Sequence, residues 1–311
     1  MVIKAEVRQL EAVQAIIDHG SFNKAAQSLG ITQPALSKLV ALLERQLGVR
    51  LFERSARGAE PTGAARIVQR AASNVGRIVD EIAAELASHA SGALGPLAIG
   101  VTPSVMQGIV PAAIAALPGG AALSLRVIED LDDRLTPLLD RGEIDLIVGP
   151  VGGLEPPPPR FAEHVLMEDR FFLGVPQDFA VGEDQALSLG DLTDAPWILP
   201  AQGSSIHRMI QAFFIASDAP WPHDRIETNS ITLQEHLIRH AGRIGLLTSA
   251  QMFRRPPPFR LMRLADVPAR RIGIRKLRSR MLNPLAGIFE ETIVGLITGS
   301  PARGTAPGPS L

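Results

Sequence analysis

Ser21-Phe22-Asn23-Lys24-Ala25-Ala26-Gln27-Ser28-Leu29-Gly30-Ile31-Thr32-Gln33-Pro34-Ala35-Leu36-Ser37-Lys38 decides how the N-terminal part of this chain folds. Ser21 is suited to cap a short helix whose apolar members Phe22, Ala25, Ala26 and Leu29 share one face. Gly30 permits a tight turn, and Ile31 is expected to plug the corner between two helices. Thr32 then caps a second helix, with Pro34 in the first turn, where a missing amide costs nothing. Leu36, Leu39, Val40, Leu43 and Leu47 recur at helical spacing and are expected to face the core. That leaves Gln33, Ser37 and Lys38 exposed near the helix N-terminus, the end that enters a major groove in a helix-turn-helix. A Gln amide pairs bidentately with adenine, Lys reaches guanine acceptors, and Ser or Thr bonds phosphate or base edges. Any one of these residues would suit a plain helical hairpin with a polar outer face. Their combined order of cap, small-residue pair, glycine turn, second cap and polar tip predicts binding to double-stranded DNA.

Residues 6 to 67 resemble the winged helix-turn-helix of LysR-type transcriptional regulators. The matching pieces are Ser21 to Ala26, Thr32 to Lys38, Leu43-Glu44, and Leu47-Gly48-Val49-Arg50-Leu51-Phe52-Glu53-Arg54. The resemblance implies that Gln33, Pro34, Ser37 and Lys38 approach the major groove. It further implies that Arg50 to Thr62 form a wing touching phosphates or the adjacent minor groove, with Arg54, Arg57 and Thr62 as contacts. Ser21 and Thr32, at the two helix starts, complete the candidate DNA-binding set. Two departures are visible: Lys38 stands where the family more often carries Arg, and Gly63 follows Thr62 directly, which displaces the usual glycine after the wing.

Composition bounds the remainder. The chain has 311 residues, more than one core readily serves, so two or three domains are expected. With 46% hydrophobic and 20% charged residues it reads as a globular protein. It lacks any run of about eighteen uncharged apolar residues, so no membrane span is expected. Met1 to Glu6 lacks the apolar core of a secretory signal, and a cytoplasmic location is expected. The absence of cysteine excludes disulfides and thiolate chemistry. Charge is segregated: 11 basic against 9 acidic residues in 1–90, 9 against 20 in 91–250, and 11 against 3 in 251–311. The DNA-reading part is therefore only slightly basic, and dimerisation would double its phosphate contacts. The basic run Arg270, Arg271, Arg275, Lys276, Arg278 and Arg280 has no interleaved aromatics and reads as a solvated strand and turn complementing the acidic middle.

After the wing, Val68, Ala72, Val75, Val79, Ile82 and Leu86 are spaced 4, 3, 4, 3 and 4, a heptad seam along one long helix. Arg66, Arg70, Arg77, Asp80, Glu81 and Glu85 lie off it. An amphipathic helix packed on its own domain would look similar, but the narrow seam with a small Ala favours a second helix at close range. The family uses this segment as a dimerising linker. An antiparallel pair is expected, giving a homodimer or a homotetramer.

From a Gly/Ser-rich hinge at 88–96 onward, short apolar strands alternate with helices. Leu97–Val101, Leu123–Ile128 and Ile144–Gly149 read as strands, a helix should run from Thr102 to about Leu117 with an interruption at Pro111, and another from Leu131 to Arg141. The pattern predicts an α/β class with parallel sheets flanked by helices. Strands in Val165–Val175 open a second lobe, Trp197–Pro200 and Ile244–Thr248 add strands, and a helix spans Ser205–Ser217. Arg271–Arg275 returns to the first lobe before a helix over Pro284–Ile297. The expected organisation is a winged helix-turn-helix in 1–62, a linker helix in 63–91 and an effector-binding domain in 92–300. Within that domain lobe I covers about 92–163 and 269–298, and lobe II about 164–268. A disordered tail follows in 301–311.

Two lobes joined by crossing strands create a cleft at the strands' carboxyl ends. This half resembles the effector-binding domain of the same family, itself similar to periplasmic binding proteins, through element order and Gly142-Glu143-Ile144-Asp145-Leu146. Candidate effector contacts are Thr102 and Ser104 at one helix start, Gln202, Gly203 and Ser204 at another, and Ser230 on the cross-lobe connection. Leu131 stands where relatives often carry a hydroxyl and makes a less polar corner. For each hydroxyl a simple N-cap is the competing role. The family implies a small-molecule effector, often an organic acid, whereas the acidic middle of the chain counts against an anion.

Enzyme chemistry finds little support. His236 and His240 lie one helical turn apart but lack the internal Glu of a zinc-protease helix and a third ligand, so no metal site is expected. Asp132 and Asp133 are adjacent and diverge. Gly149–Gly153 is not a phosphate loop, and no Gly-x-Ser-x-Gly elbow occurs. No cofactor is implied. The expected function is a regulator of transcription switched by a small molecule. The alternative is a solute-binding or catalytic α/β domain carrying a subsidiary DNA-binding head.

Overall fold

Helical periodicity and left-handed glycines at the helix ends build the first unit. α1 (Val7–His19) buries Ala12, Val13, Ala15 and Ile16. α2 (Phe22–Ser28) buries Ala25 and Ala26, and α3 (Gln33–Leu47) buries Leu36, Val40 and Leu43, with Leu39 and Leu47 half-buried against the same core. Gly30 turns the chain between α2 and α3 at φ 66°, a conformation that suits glycine. Thr32 caps α3 as expected, its hydroxyl accepting from the Ala35 amide at 3.4 Å. Two expectations fail locally. Ser21 occupies the N-cap position of α2, yet its side chain makes no capping bond. Ile31 does not plug the corner: Ala26 and Leu36 already fill it, and Ile31 turns outward at 37% exposure.

A two-stranded antiparallel ribbon follows, β1 (Phe52–Ser55) with β2 (Gly58–Pro61), Phe52 opposite Pro61. Leu51 and Phe52 drop into the core, where the Phe52 ring meets Phe22 edge-on at 5.6 Å. Thr62 then starts α4 (Gly63–Ser91) by accepting from the Ala65 amide.

The heptad seam on α4 divides in two. Val68 packs into the core of this unit, Ala72 is buried and Val75 is half-buried. Val79, Ile82 and Leu86 are 53%, 52% and 63% exposed.

The computed structural model describes residues 5–55, 58–91, 94–118, 122–153, 157–180, 187–254, 256–265, 267–280 and 283–299. Contacts divide them into two compact units at Ala90–Ser91. Arg57 and the tail 301–311 lie outside the described residues, as do the side chains of Arg54, Arg77, Asp80, Glu81 and Glu85.

The second unit holds two five-stranded sheets. Its elements run β3 (Leu94–Val101), α5 (Pro103–Met106), α6 (Ile109–Ala115), β4 (Leu123–Glu129), α7 (Asp132–Asp140), β5 (Leu146–Val151), β6 (Phe161–Asp169) and β7 (Phe171–Val175). They continue through β8 (Trp197–Leu199), α8 (Ser205–Ala216), β9 (Arg225–Glu227), α9 (Ile231–His240), β10 (Ile244–Thr248), β11 (Arg260–Arg263), β12 (Arg270–Leu277) and α10 (Pro284–Thr298). The first sheet is ordered β4-β3-β5-β12-β6, the second β11-β7-β10-β8-β9. Each is covered on two sides. In the first, Val105, Ile109, Val110 and Phe289 pack on Ile99, Val148 and Ile274, while Leu135 and Leu139 close the other face. In the second, Phe213 and Phe214 of α8 pack on Trp197 and Leu246, and Ile238 of α9 packs on Leu247 and Ile198.

The sheets are mixed, not parallel throughout. β3 pairs parallel with β4 and β5, but β12 runs antiparallel to both β5 and β6. In the second sheet β7 runs antiparallel to β10 and β11. The reason is the double crossing: β6 leaves the first lobe and β12 re-enters it, so they run in opposite senses. The lobe boundary moves accordingly. β6 belongs to the first sheet along its whole length, so the crossing falls at Arg170, not at 163–164. The helix expected over 102–117 is split into α5 and α6. The break lies at Gly108, which leaves helical geometry at φ −139° and ψ −68°. Pro111 sits in the first turn of α6, where it breaks nothing.

Candidate functional site

The first candidate site is the exposed end of α3. With Leu36, Val40 and Leu43 facing inward, Pro34 and Lys38 lie on the outer side of the helix and Gln33 and Ser37 on the flank beside the core. Pro34 and Lys38 are exposed, and Gln33 and Ser37 are half-buried. The Gln33 amide donates to the Ser37 hydroxyl at 3.0 Å, which holds both side chains along one stripe of the helix. Thr32 is exposed beside them.

The wing departs from expectation at Thr62. Its hydroxyl donates to the Arg50 carbonyl at 2.9 Å and accepts from Ala65. It is an anchor at the base of the wing, not a free phosphate donor. Beside α3 lies an open groove of about 550 Å³ lined by Arg8, Leu29, Ile31, Lys38, Leu39 and Leu42 among others. It exists because Leu29 and Ile31 point outward.

The second site is a cleft of about 310 Å³ between the two lobes, lined by Pro103, Glu129, Asp130, Leu131, Arg134 and Asn229. Strand ends and helix starts bring these together: β3 into α5, β4 into α7, and β9 into α9. Leu131 is half-buried at the start of α7 and forms an apolar part of the lining.

Thr102 is 5% exposed. Its hydroxyl lies 3.4 Å from that of Ser104, and no side-chain cap bond is made to α5. Gly149 lets it sit there: a Cβ on that residue would fall 2.7 Å from the Thr102 methyl carbon.

The other hydroxyls behave differently. Ser204 is buried and caps α8, donating to Ala201 O at 2.9 Å and accepting from His207 N at 3.1 Å. Ser230 is exposed and caps α9 by accepting from Leu233 N at 3.2 Å. Gln202 and Gly203 are exposed, and the Gly203 carbonyl accepts from Arg208. Asn229 joins this loop to the cleft, accepting from the Ala201 amide at 3.1 Å. Thus Leu131 lines the cleft and Pro103 brings the Thr102–Ser104 turn to it, whereas Gln202, Gly203, Ser204 and Ser230 approach only through Asn229.

Behind the cleft stands an ionic hub that the linear sequence does not reveal. Arg275 on β12 is 13% exposed. It donates to Asp132 at 2.8 Å, Glu163 at 2.8 Å, Thr136 at 3.0 Å and the Pro150 carbonyl at 3.3 Å. Burial pushes the Asp132 carboxyl above its ordinary range, and the neighbouring guanidinium opposes only part of that rise. Desolvation would lower the Arg275 value, but the Asp132 and Glu163 carboxylates more than offset it and raise it.

The basic run is therefore not simply solvated. Arg270 pairs with fully buried Asp169 at 2.8 Å, Lys276 with Glu290 and Arg280 with Asp145. Asp169 also accepts from the Ser249 hydroxyl and the Ala250 amide, so this pair clasps both crossing strands to the segment after β10.

His236 and His240 are exposed, with ring centroids 4.6 Å apart. Among the described residues no group of three or more potential metal ligands gathers. No helix among them is long and apolar enough to cross a membrane.

Comparison with known proteins covers both units. Residues 7–66 match the family described as bacterial regulatory helix-turn-helix protein, lysR family. Residues 90–295 match the LysR substrate binding domain. The chain is 25% identical over 299 residues to the RuBisCO operon transcriptional regulator of Allochromatium vinosum, covering 93% of this chain and 95% of that one. It is 29% identical over 228 residues to the transcriptional regulator GbpR of Azospirillum brasilense, covering 73% and 67%. In fold it is similar to full-length CbnR crystallised with its target DNA, at a TM-score of 0.59 and 19% identity, covering 95% of this chain and 99% of that chain.

Proposed function

This chain belongs to the LysR family of DNA-binding transcriptional regulators, and from that premise we propose which of its residues read DNA, sense the effector and hold the assembly together. It is a regulator with an effector-binding domain and not an enzyme. Gln33, Pro34, Ser37 and Lys38 enter the major groove, with Gln33 to adenine and Lys38 to guanine as the base contacts. Thr32, at the helix start, and Ser21 lie toward the phosphates. Arg54 and Arg57 of the wing take phosphates or the neighbouring minor groove, while Thr62 holds the wing's base.

The observation that carries this reading is the division of α3. One stripe is sunk in the core, and the polar residues after the Thr32 cap reach solvent, Pro34 and Lys38 exposed and Gln33 and Ser37 half-buried. Its test is protection mapping on duplexes selected from a random-sequence pool. A protected site with partial dyad symmetry supports the reading, and uniform protection of all sequences opposes it.

The effector occupies the cleft between the lobes, with Thr102 and Ser104 as hydroxyl contacts and Leu131 as an apolar wall. Gln202, Gly203, Ser204 and Ser230 shape its far side. An effector that draws the lobes together alters how paired reading heads are spaced, and thereby how the promoter bends. The stripe Val79, Ile82 and Leu86 pairs with the same stripe of a second copy, giving dimers that assemble into tetramers. The partner places the protein in the cytoplasm with the chromosome. Small organic acids are the family's common effectors and the first to be screened.

A further inference from the structure

We propose that Glu44 is the positioning residue that fixes the wing relative to the reading end of α3. It lies on the same stripe as Gln33 and Ser37, seven residues beyond Ser37 and about two turns farther along the helix. One of its carboxylate oxygens accepts from two backbone amides at the foot of β1, Leu51 at 2.7 Å and Phe52 at 3.3 Å. A half-buried carboxylate on two amides is a charge-assisted acceptor, about twice as strong as a neutral one.

The adjoining carbonyls of Arg50 and Leu51 are held from Thr62, just before α4. Leu51 O accepts from the Thr62 amide at 2.9 Å, and Arg50 O accepts from the Thr62 hydroxyl. Glu44 is thus a hydrogen-bonded attachment that comes from the reading helix itself, beside the apolar packing of Leu51 and Phe52 on Leu36, Val40 and Leu43. It touches no base in the proposed complex. Its effect is on where the wing lands once Gln33 to Lys38 have set the register. The assignment rests on the major-groove reading given above.

The test compares full-length wild type, Glu44→Gln and Glu44→Ala on a duplex selected by the wild-type chain, using hydroxyl-radical protection and the salt dependence of binding. Gln keeps a neutral oxygen acceptor and Ala keeps none. Protection at the centre of each half-site is expected to persist in all three. Protection at the wing-side flank should fall in the order wild type, Gln, Ala. The slope of log affinity against log salt should become shallower by about one for each phosphate that the wing no longer reaches.

If Glu44→Ala does not fold, the Gln variant carries the comparison alone. Flanks unchanged in Gln, or centre and flanks weakening together, overturn the assignment while leaving the major-groove reading intact. A wild type without any protected centre overturns both.

Discussion

Thr102 and Ser204 look alike in sequence, a hydroxyl before a helix, and the structure separates them. Ser204 spends its hydroxyl on the cap of α8, donating and accepting. Thr102 makes no cap bond, is buried, and leans on Gly149 beside the cleft. Ser204→Ala should therefore cost about 1 kcal/mol of stability in denaturant unfolding and change the effector response little. Thr102→Val keeps the packing on Gly149 and removes only the hydroxyl. It should weaken effector binding about tenfold, the worth of one hydrogen bond, with operator affinity unchanged. Titration calorimetry with an effector found by thermal shift checks both.

Asp132 gives a pH prediction. Its folded carboxyl holds a proton more tightly than an ordinary aspartate of pKa 3.8. It therefore contributes stability below that value and loses it as pH rises through the folded one. The melting temperature of wild type relative to Asp132→Asn should rise as pH is lowered from neutral toward 3.8; a constant difference would refute the raised value.

At the scale of elements, the helix-turn-helix was legible because everything that makes it is local. The cap at Thr32, the turn at Gly30 and the period of Leu36, Val40 and Leu43 all lie within a few turns of chain. The lobes were less so. Strand identities can be read from apolar runs, but β12 pairs with residues more than a hundred positions earlier, and no local pattern states its direction. For the same reason β6 was divided between lobes at a point its own alternation does not mark. The seam on α4 shows a further limit. Periodicity names the stripe, but burial alone shows that Val68 and Ala72 are used at home while Val79, Ile82 and Leu86 are left uncovered. A charge at the free half should then break assembly without unfolding the head. Ile82→Asp with Leu86→Asp is expected to sediment at the mass of one chain at micromolar concentration, and wild type as dimers or larger. An unchanged mass would place the interface elsewhere.

For the whole molecule, segregated charge does two separate jobs. Four of the six basic residues of 270–280, Arg270, Arg275, Lys276 and Arg280, are taken up by Asp132, Asp145, Glu163, Asp169 and Glu290, while Arg271 and Arg278 stay exposed on backbone carbonyls, which leaves little spare surface for nucleic acid. Asp132, Asp145, Glu163 and Asp169 were unreadable as partners in sequence because they lie more than a hundred positions earlier. DNA attraction then falls to the head, whose residues 1–90 carry only two more basic than acidic groups. On the proposed reading, selectivity comes from a few base contacts at the tip of α3 and not from bulk charge. The most direct measurement is the affinity of the Gln33→Ala, Lys38→Ala double variant for a selected duplex and for random duplex at one salt concentration. The double variant should melt like wild type and lose about a hundredfold in specific affinity, with binding to random duplex nearly unchanged. A variant that kept full preference for the selected duplex would contradict the account.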